Sequence, residues 1–255
     1  MTSPSSLDCF GLTVQGLCLN DILQRVEAAP QERPYWIVTA NPEILLQARR
    51  DPNYREALRS ADLIIMDGFG VQLMGRLLGQ PMLRVTGVEL AQALLERAAG
   101  QNMLVAMVGG GEGIAEQALL QKRQRLPQLR GLAFSGGSVN RRGEGDAANT
   151  AAVSELSRLA PAVVLVAFGH PKQELWIKRH LSRLPSVRVI IGVGGTFDYW
   201  AKRITRAPPW TRRLGLEWLY RLISEPRRLK RVWRAVAVFP AVFFWDCLTG
   251  QHKSQ

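Results

Sequence analysis

The apolar and polar positions of this chain fall into two alternating kinds of segment. Short, mostly apolar runs recur at residues 35–40 (YWIVTA), 62–66 (DLIIM), 103–108 (MLVAMV), 162–168 (AVVLVAF) and 187–193 (VRVIIGV), with a shorter candidate at 132–134. Between them lie segments whose apolar residues recur at helical spacing: 21–29, 43–50, 71–78, 87–99, 116–126, 147–159 and 172–184. Thr86 is placed to N-cap the fourth of these, and Asn41-Pro42 to open the second. Residues 1–10 read as a loose tail, and 135–146, rich in Gly, Ser, Asn and charge, as a loop. Most of the runs are continuous rather than alternating, so each predicted strand is buried on both faces. Alternation with helices then predicts an α/β fold, a Rossmann-like, mostly parallel sheet with helices on both faces.

Ligands of such sheets bind at the carboxyl ends of the strands. Here those ends read Thr39-Ala40-Asn41, Asp67-Gly68, Gly109-Gly110-Gly111, Phe168-Gly169-His170 and Gly194-Gly195-Thr196. They are small and polar, which suits a ligand whose phosphates approach backbone N–H groups. Asp67 follows a buried strand directly and is placed to act as a general base; the plainer explanation is a turn residue that caps the next helix. Thr39 and Asn41 could position a sugar hydroxyl or a phosphate, although an Asn-Pro turn accounts for Asn41 equally. The run from Gly109 to Gly113 does not fit the G-x-G-x-x-G dinucleotide template, because Ile114 or Glu116 falls on its third small position. A phosphate-admitting turn and a purely structural tight turn both remain open there. In Gly169-His170-Pro171-Lys172-Gln173-Glu174, Gln173 could bond a ligand and Glu174 would suit a helix N-terminus, while His170 reads as an ordinary loop histidine. Asp198 could accept hydrogen bonds from a base or ribose. There is no Asp-x-Asp and no cluster at metal-ligand spacing, so no metal or cofactor is expected, and arginine would have to neutralise phosphate charge.

Charge changes this picture at one end only. The chain carries a net charge of +12, of which residues 202–234 supply +9, with eleven Lys or Arg against Glu217 and Glu225. Trp210, Trp218, Tyr220 and Trp233 are interleaved, and the apolar stretch AVAVFPAVFFW follows at 235–245. This combination suggests a surface that meets something both anionic and oily. The stretch is broken by Pro240 and falls short of the roughly 20 residues a spanning helix needs. No signal peptide is expected from the N-terminal sequence. Cys9, Cys18 and Cys247 form no CxxC pair and suit a reducing, cytoplasmic setting.

Seven segments in order carry a more specific signal: TANPEILLQARRDP, ADLIIMDGFGV, RVTGVEL, MVGGGEG, VAFGHPKQELWI, IGVGGTFDYWAKRITRAP and GLEWLYRLISEPRRLKR. Together they resemble the WecG/TagA/CpsF family of bacterial glycosyltransferases, from about Tyr35 to Arg234. The resemblance implies an inverting, metal-independent transfer of a sugar from a nucleotide-sugar, UDP-linked by the same resemblance, to a polyprenyl-diphosphate-linked saccharide. It implies work at the cytoplasmic face of the membrane, as a peripheral protein, for cell-surface polysaccharide or teichoic acid-type synthesis. Thr39 and Asp67 match the family's active-site Thr and Asp, the Asp being its general base. Asn41 and Arg84 match its pocket motifs, Gln173 its P-x-Q-E motif, and Asp198 the Asp after its G-G-x-F/Y. Gly109 and Gly110 fall at the phosphate-type turn. Arg221, Arg228 and Arg231 match the arginines of a C-terminal appendage that docks on the membrane and completes the site. The chain departs from the family in AKRITRAP, where a Gly often stands near Lys202.

The expected division is a catalytic α/β domain at 1–205 and a basic, aromatic, helical appendage at 206–255. The main alternative is a non-enzymatic membrane- or anion-binding module that uses the basic tail and leaves Asp67, Gln173 and Asp198 without a role. A dinucleotide-dependent oxidoreductase is disfavoured by the glycine spacing. No nucleic-acid partner is expected. The donor sugar, the acceptor's terminal sugar and the oligomeric state, a homo-oligomer included, stay open.

Overall fold

The computed structural model describes residues 5–205, 208, 211, 220 and 233–249. Its sheet has eight strands. A hairpin of β1 (Ser5–Asp8) and β2 (Thr13–Gly16) leads into α1 (Leu19–Ala28) and β3 (Tyr35–Ala40). Two helices follow, α2 (Pro42–Arg50) and α3 (Pro52–Arg59), then β4 (Leu63–Met66), α4 (Phe69–Leu77) and α5 (Gly87–Gly100). The second half runs β5 (Leu104–Gly109), α6 (Ile114–Arg125), β6 (Arg130–Phe134), α7 (Ala147–Leu159), β7 (Val163–Ala167), α8 (Lys172–His180), β8 (Val189–Gly192) and α9 (Thr196–Trp200). The strand order is β1-β2-β4-β3-β8-β7-β5-β6. Only the β1–β2 pairing is antiparallel, so the expected mostly parallel sheet is present.

Both faces are covered, and the strands show why they had to be continuous apolar runs. Successive side chains of a strand point to opposite faces. Trp36 and Val38 belong to one core cluster with residues of α2, α3 and α8, while Ile37 packs in the other with residues of α1, α5 and α6. The helix starts follow the capping logic of the sequence. Asn41 Oδ1 accepts from the N–H groups of Glu43 and Ile44, both at 3.0 Å, with Pro42 as the first helical residue. Thr86 and Glu89 form a reciprocal capping box at the start of α5.

Three local expectations need correction. Residues 5–8 are not a loose tail but pair with β2. Phe10 (φ 59°) and Gly11 (φ 76°) both take left-handed backbone in the connecting turn, which Cys9 and Leu12 close by mutual backbone hydrogen bonds. A left-handed phenylalanine is unusual; its ring is buried between Phe239 and Phe243, at centroid distances of 6.1 and 6.2 Å. Helix α3 was also unforeseen, although Asp51-Pro52 repeats the Asn41-Pro42 device and Asp51 caps it through the N–H of Tyr54 at 3.1 Å. Helix α9 is the third.

The C-terminal stretch is the largest surprise. A π-helical turn (Arg234–Val238) continues into α10 (Phe239–Thr249). Phe239 and Phe243 are fully buried in the same core cluster as Trp36, Tyr54 and Trp176. Asp246 takes a bidentate ion pair from Arg49 of α2, Nε–Oδ2 at 2.9 Å and Nη2–Oδ1 at 2.8 Å. One face of the apolar stretch therefore completes the core, and the other is exposed at Trp245 and Leu248.

Candidate active site

Thr39 and Asp67 stand at the carboxyl ends of neighbouring strands, because β3 and β4 pair in register, Thr39 opposite Ile65 and Ala40 opposite Met66. The N–H groups of Asp67 and Gly68 both donate to the Ala40 carbonyl, at 3.0 and 3.3 Å, which folds the Asp67 loop over the end of β3. The carboxylate does not cap the helix that follows. The N-cap of α4 is Gly68, without a side-chain bond. Instead, Asp67 Oδ2 accepts from the N–H of Gly87, the first residue of α5, at 3.3 Å. Gly87 also faces Thr39: a methyl group built there would lie 3.2 Å from Thr39 Oγ1 and 3.7 Å from Asp67 Oδ2. The hydroxyl, the carboxylate and the positive end of a 14-residue helix thus converge on one point. Arg84 stands in the segment before α5, which is tied back to β4 by the bond from Val85 N–H to the Met66 carbonyl at 3.1 Å. Asn41 stands one residue beyond β3, with its Oδ1 spent on capping α2.

The second half of the site is built at the ends of β5, β7 and β8. Gln173 is buried, and both ends of its amide are engaged within the protein. Its Oε1 accepts from the N–H groups of Gly169 and Gly194, each at 3.1 Å, and its Nε2 donates to Glu174 Oε1 at 2.8 Å. Gln173 therefore clamps the loops after β7 and β8 to each other. Glu174 lies deeper than its helix-start position suggested: it is buried and also accepts from the Tyr54 hydroxyl at 3.0 Å. Burial pushes its carboxyl above the usual range, opposed by nearby His170. Asp198 lies in the first turn of α9, and its carbonyl accepts from the N–H groups of Arg203 and Ile204 at 2.9 and 3.3 Å.

Gly109 and Gly110 are committed to packing. A methyl at Gly109 would meet the Ala167 carbonyl oxygen at 2.9 Å, one at Gly110 would meet Ile114 at 3.0 Å, and Gly110 N–H donates to that same carbonyl at 2.9 Å. At these strand ends the open glycines are Gly113, Gly169 and Gly194, where an added methyl would meet nothing within 4 Å. Sequence reasoning also gave Glu43 no role and left His170 as an ordinary loop residue. Glu43 Oε2 and His170 Nε2 lie 3.2 Å apart and bridge the start of α2 to the loop after β7, passing the end of β8. The available signal was the place of Glu43 in the first turn after Asn-Pro.

Arg221, Arg228 and Arg231 lie outside the described residues. The ends of the segment that holds them are visible. Ile204 is bonded to Asp198, and Ala235 reaches α4, where a methyl at Gly70 would lie 3.1 Å from the Ala235 carbonyl oxygen. Both ends therefore flank the carboxyl edge of the sheet.

A parallel α/β sheet whose carboxyl edge brings together a hydroxyl and a carboxylate, beside glycine turns open to solvent, belongs to the class of folds that bind their ligands at that edge. Comparison with known proteins narrows the class. The model of the glycosyl transferase WecG/TagA/CpsF family matches residues 7–253, and the chain belongs to that family. It is a glycosyltransferase. An N-acetylglucosaminyldiphosphoundecaprenol N-acetyl-beta-D-mannosaminyltransferase of Bacillus spizizenii is 34% identical over 203 residues, 79% of this chain and 76% of the relative. A Bacillus subtilis protein of the same name is 34% identical over 197 residues, 77% of this chain and 74% of the relative. A Staphylococcus aureus protein, again of that name, is 28% identical over 242 residues, 93% of this chain and 92% of the relative.

Proposed function

We propose that this protein moves an N-acetylmannosamine-type hexose from a UDP-linked donor to a polyprenyl-diphosphate-linked saccharide, with inversion and without a metal. It works as a peripheral protein on the inner face of the cell membrane, in cell-surface polysaccharide or teichoic acid-type synthesis. The convergence of Asp67, Thr39 and the α5 start carries the reading, in a chain of a glycosyltransferase family. The relatives' names support the sugar and the lipid carrier.

In this reading the acceptor hydroxyl oxygen attacks the anomeric carbon, the bond from that carbon to the donor's phosphate oxygen breaks, and the nucleoside diphosphate leaves. Asp67 takes the hydroxyl proton as attack proceeds, and Thr39 orients the reacting group. Arg84 and the arginines at 221, 228 and 231 balance the departing charge; the last three are assigned by family resemblance, as parts of an appendage at 206–255 beside a catalytic domain at 1–205. Asn41 and Asp198 hold the donor, and Gln173, Gly109 and Gly110 shape the loops around it. No helix among the described residues is long and apolar enough to cross a membrane, and the peripheral reading rests on the exposed apolar face of α10 and the basic segment before it.

The test is a product assay with a panel of nucleotide sugars and a lipid-diphosphate-linked acceptor. Transfer should appear with UDP-N-acetylmannosamine. Asp67→Asn should lower transfer by about 10²–10⁴ while nucleotide binding persists. Equal loss of both would remove Asp67 from the base role, and absence of any sugar transfer across the panel would reject the reading.

A further inference from the structure

Two apolar ridges crop out on elements that touch each other. One is the outer face of α10, with Trp245 62% and Leu248 85% exposed. The other belongs to α4 and the turn after it. Val71 and Met74 of α4 are buried, whereas Leu73, Leu77, Leu78 and Leu83 all face solvent, Leu77 at 59% and Leu83 at 56%. Leu73 and Leu77 are one helical turn apart and share a face. A methyl built at Gly70, in the first turn of α4, would lie 3.1 Å from the Ala235 carbonyl oxygen and 3.8 Å from Phe239 Cδ1, so the two ridges are neighbours.

Charge indicates what covers them. Residues 68–88 contain no Asp or Glu but include Arg76 and Arg84, and residues 233–245 also contain no acid. Asp246 is buried in its pair with Arg49. The segment between the basic residues 202 and 234 carries +9. Leucine and tryptophan ridges on stretches whose only charged residues are cations match a bilayer with anionic headgroups. Position gives the match a purpose, because α4 starts two residues after Asp67. A bilayer resting on α4 brings the headgroup layer, where a lipid-linked diphosphate lies, close to Asp67.

We propose that α4 and the turn through Leu83 form a second membrane-contacting ridge, so that the bilayer seats on α4 and α10 together. This inference rests on the reading of the protein as a peripheral enzyme with a lipid-linked acceptor. Its test needs neither donor nor acceptor. The full chain, Leu77→Glu/Leu83→Glu, Trp245→Glu/Leu248→Glu and the control Leu120→Glu are compared for co-sedimentation with phosphatidylglycerol-containing vesicles, for thermal midpoint and for oligomeric state by light scattering. Leu120, on α6, is as exposed as Leu77, at 59%. Leu77→Glu/Leu83→Glu should weaken vesicle binding at least about tenfold with an unchanged thermal midpoint, and Leu120→Glu should bind like the parent. The ridge is overturned if Leu77→Glu/Leu83→Glu binds like the parent while Trp245→Glu/Leu248→Glu does not. It is also overturned if the α4 variant breaks an oligomer and keeps its vesicle binding, which would make the ridge a self-association surface. A parent that ignores vesicles yet glycosylates a short-chain soluble acceptor would remove the ridge and leave the transfer chemistry standing.

Discussion

Gly87 is the residue on which the proposed catalytic geometry turns. Its N–H holds the Asp67 carboxylate, and its missing side chain leaves room for the Thr39 hydroxyl. Its backbone is not in the left-handed region, so alanine is tolerated conformationally and the conflict is purely steric. At 3.2 Å from Thr39 Oγ1 the new methyl must push the hydroxyl aside by a few tenths of an ångström. Gly87→Ala should therefore lower kcat roughly tenfold, since small displacements of reacting groups are costly, with little change in thermal midpoint. An unchanged kcat would remove Thr39 from any positional role. Asp67 and Thr39 were legible in the sequence because each ends an apolar run. Gly87 and the Glu43–His170 pair were not, because each meets its partner only after distant strands are placed side by side.

At the scale of elements, α10 divides between core and solvent a stretch, 235–245, that the sequence presents as one apolar run. The sequence shows an apolar run with almost no helical asymmetry, because both faces are apolar for different reasons. One face is apolar because Phe239 and Phe243 fill the core around Phe10, and the other remains exposed. The Arg49–Asp246 pair is the polar lock of that packing, with the Arg49 side chain 34% exposed and that of Asp246 8%. Loss of either partner should destabilise the fold, by less than the ~3–5 kcal/mol typical of a wholly buried pair because Arg49 is partly solvated. A double-mutant cycle of Arg49→Ala and Asp246→Ala, measured by urea unfolding, should give a coupling of about 1–3 kcal/mol. Additive losses would mean that the helix docks through its phenylalanines alone.

For the whole molecule, two buried ionisable groups set opposing pH terms. His180 is buried against Trp176, with ring centroids 4.8 Å apart, and burial together with Arg183 and Arg179 lowers its pKa from 6.5 to about 4. The unfolded chain therefore binds a proton here that the native state refuses, and stability falls as pH drops from about 6.5 toward 4. Glu174 has the opposite sign. Its raised pKa makes the native state the better proton binder, so its term favours the fold at low pH and fades as pH rises through that raised value. The histidine term taken by itself lowers the unfolding free energy by about 2 kcal/mol between pH 7 and pH 5. Urea titrations at the two pH values test this, and His180→Phe should flatten the difference; an equal slope in parent and variant would assign the acid sensitivity to other groups.

The sequence by itself determined the α/β class, the helix caps and the strand-end positions of Thr39, Asp67, Gln173 and Asp198. These depend on local chemistry: continuous apolar runs, Asn or Thr before a helix, and polar residues where a run stops. Tertiary structure alone decided which of them meet. It brought Asp67 and Thr39 to the start of α5, turned Gln173 inward as a clamp between two loops, and packed Gly109 and Gly110 against β7. It also split the C-terminal apolar stretch into a core face and an open face. The physical reason is common to all four. Local pattern specifies how a segment folds, while a partner's position depends on strand order and on which surface the rest of the chain leaves uncovered.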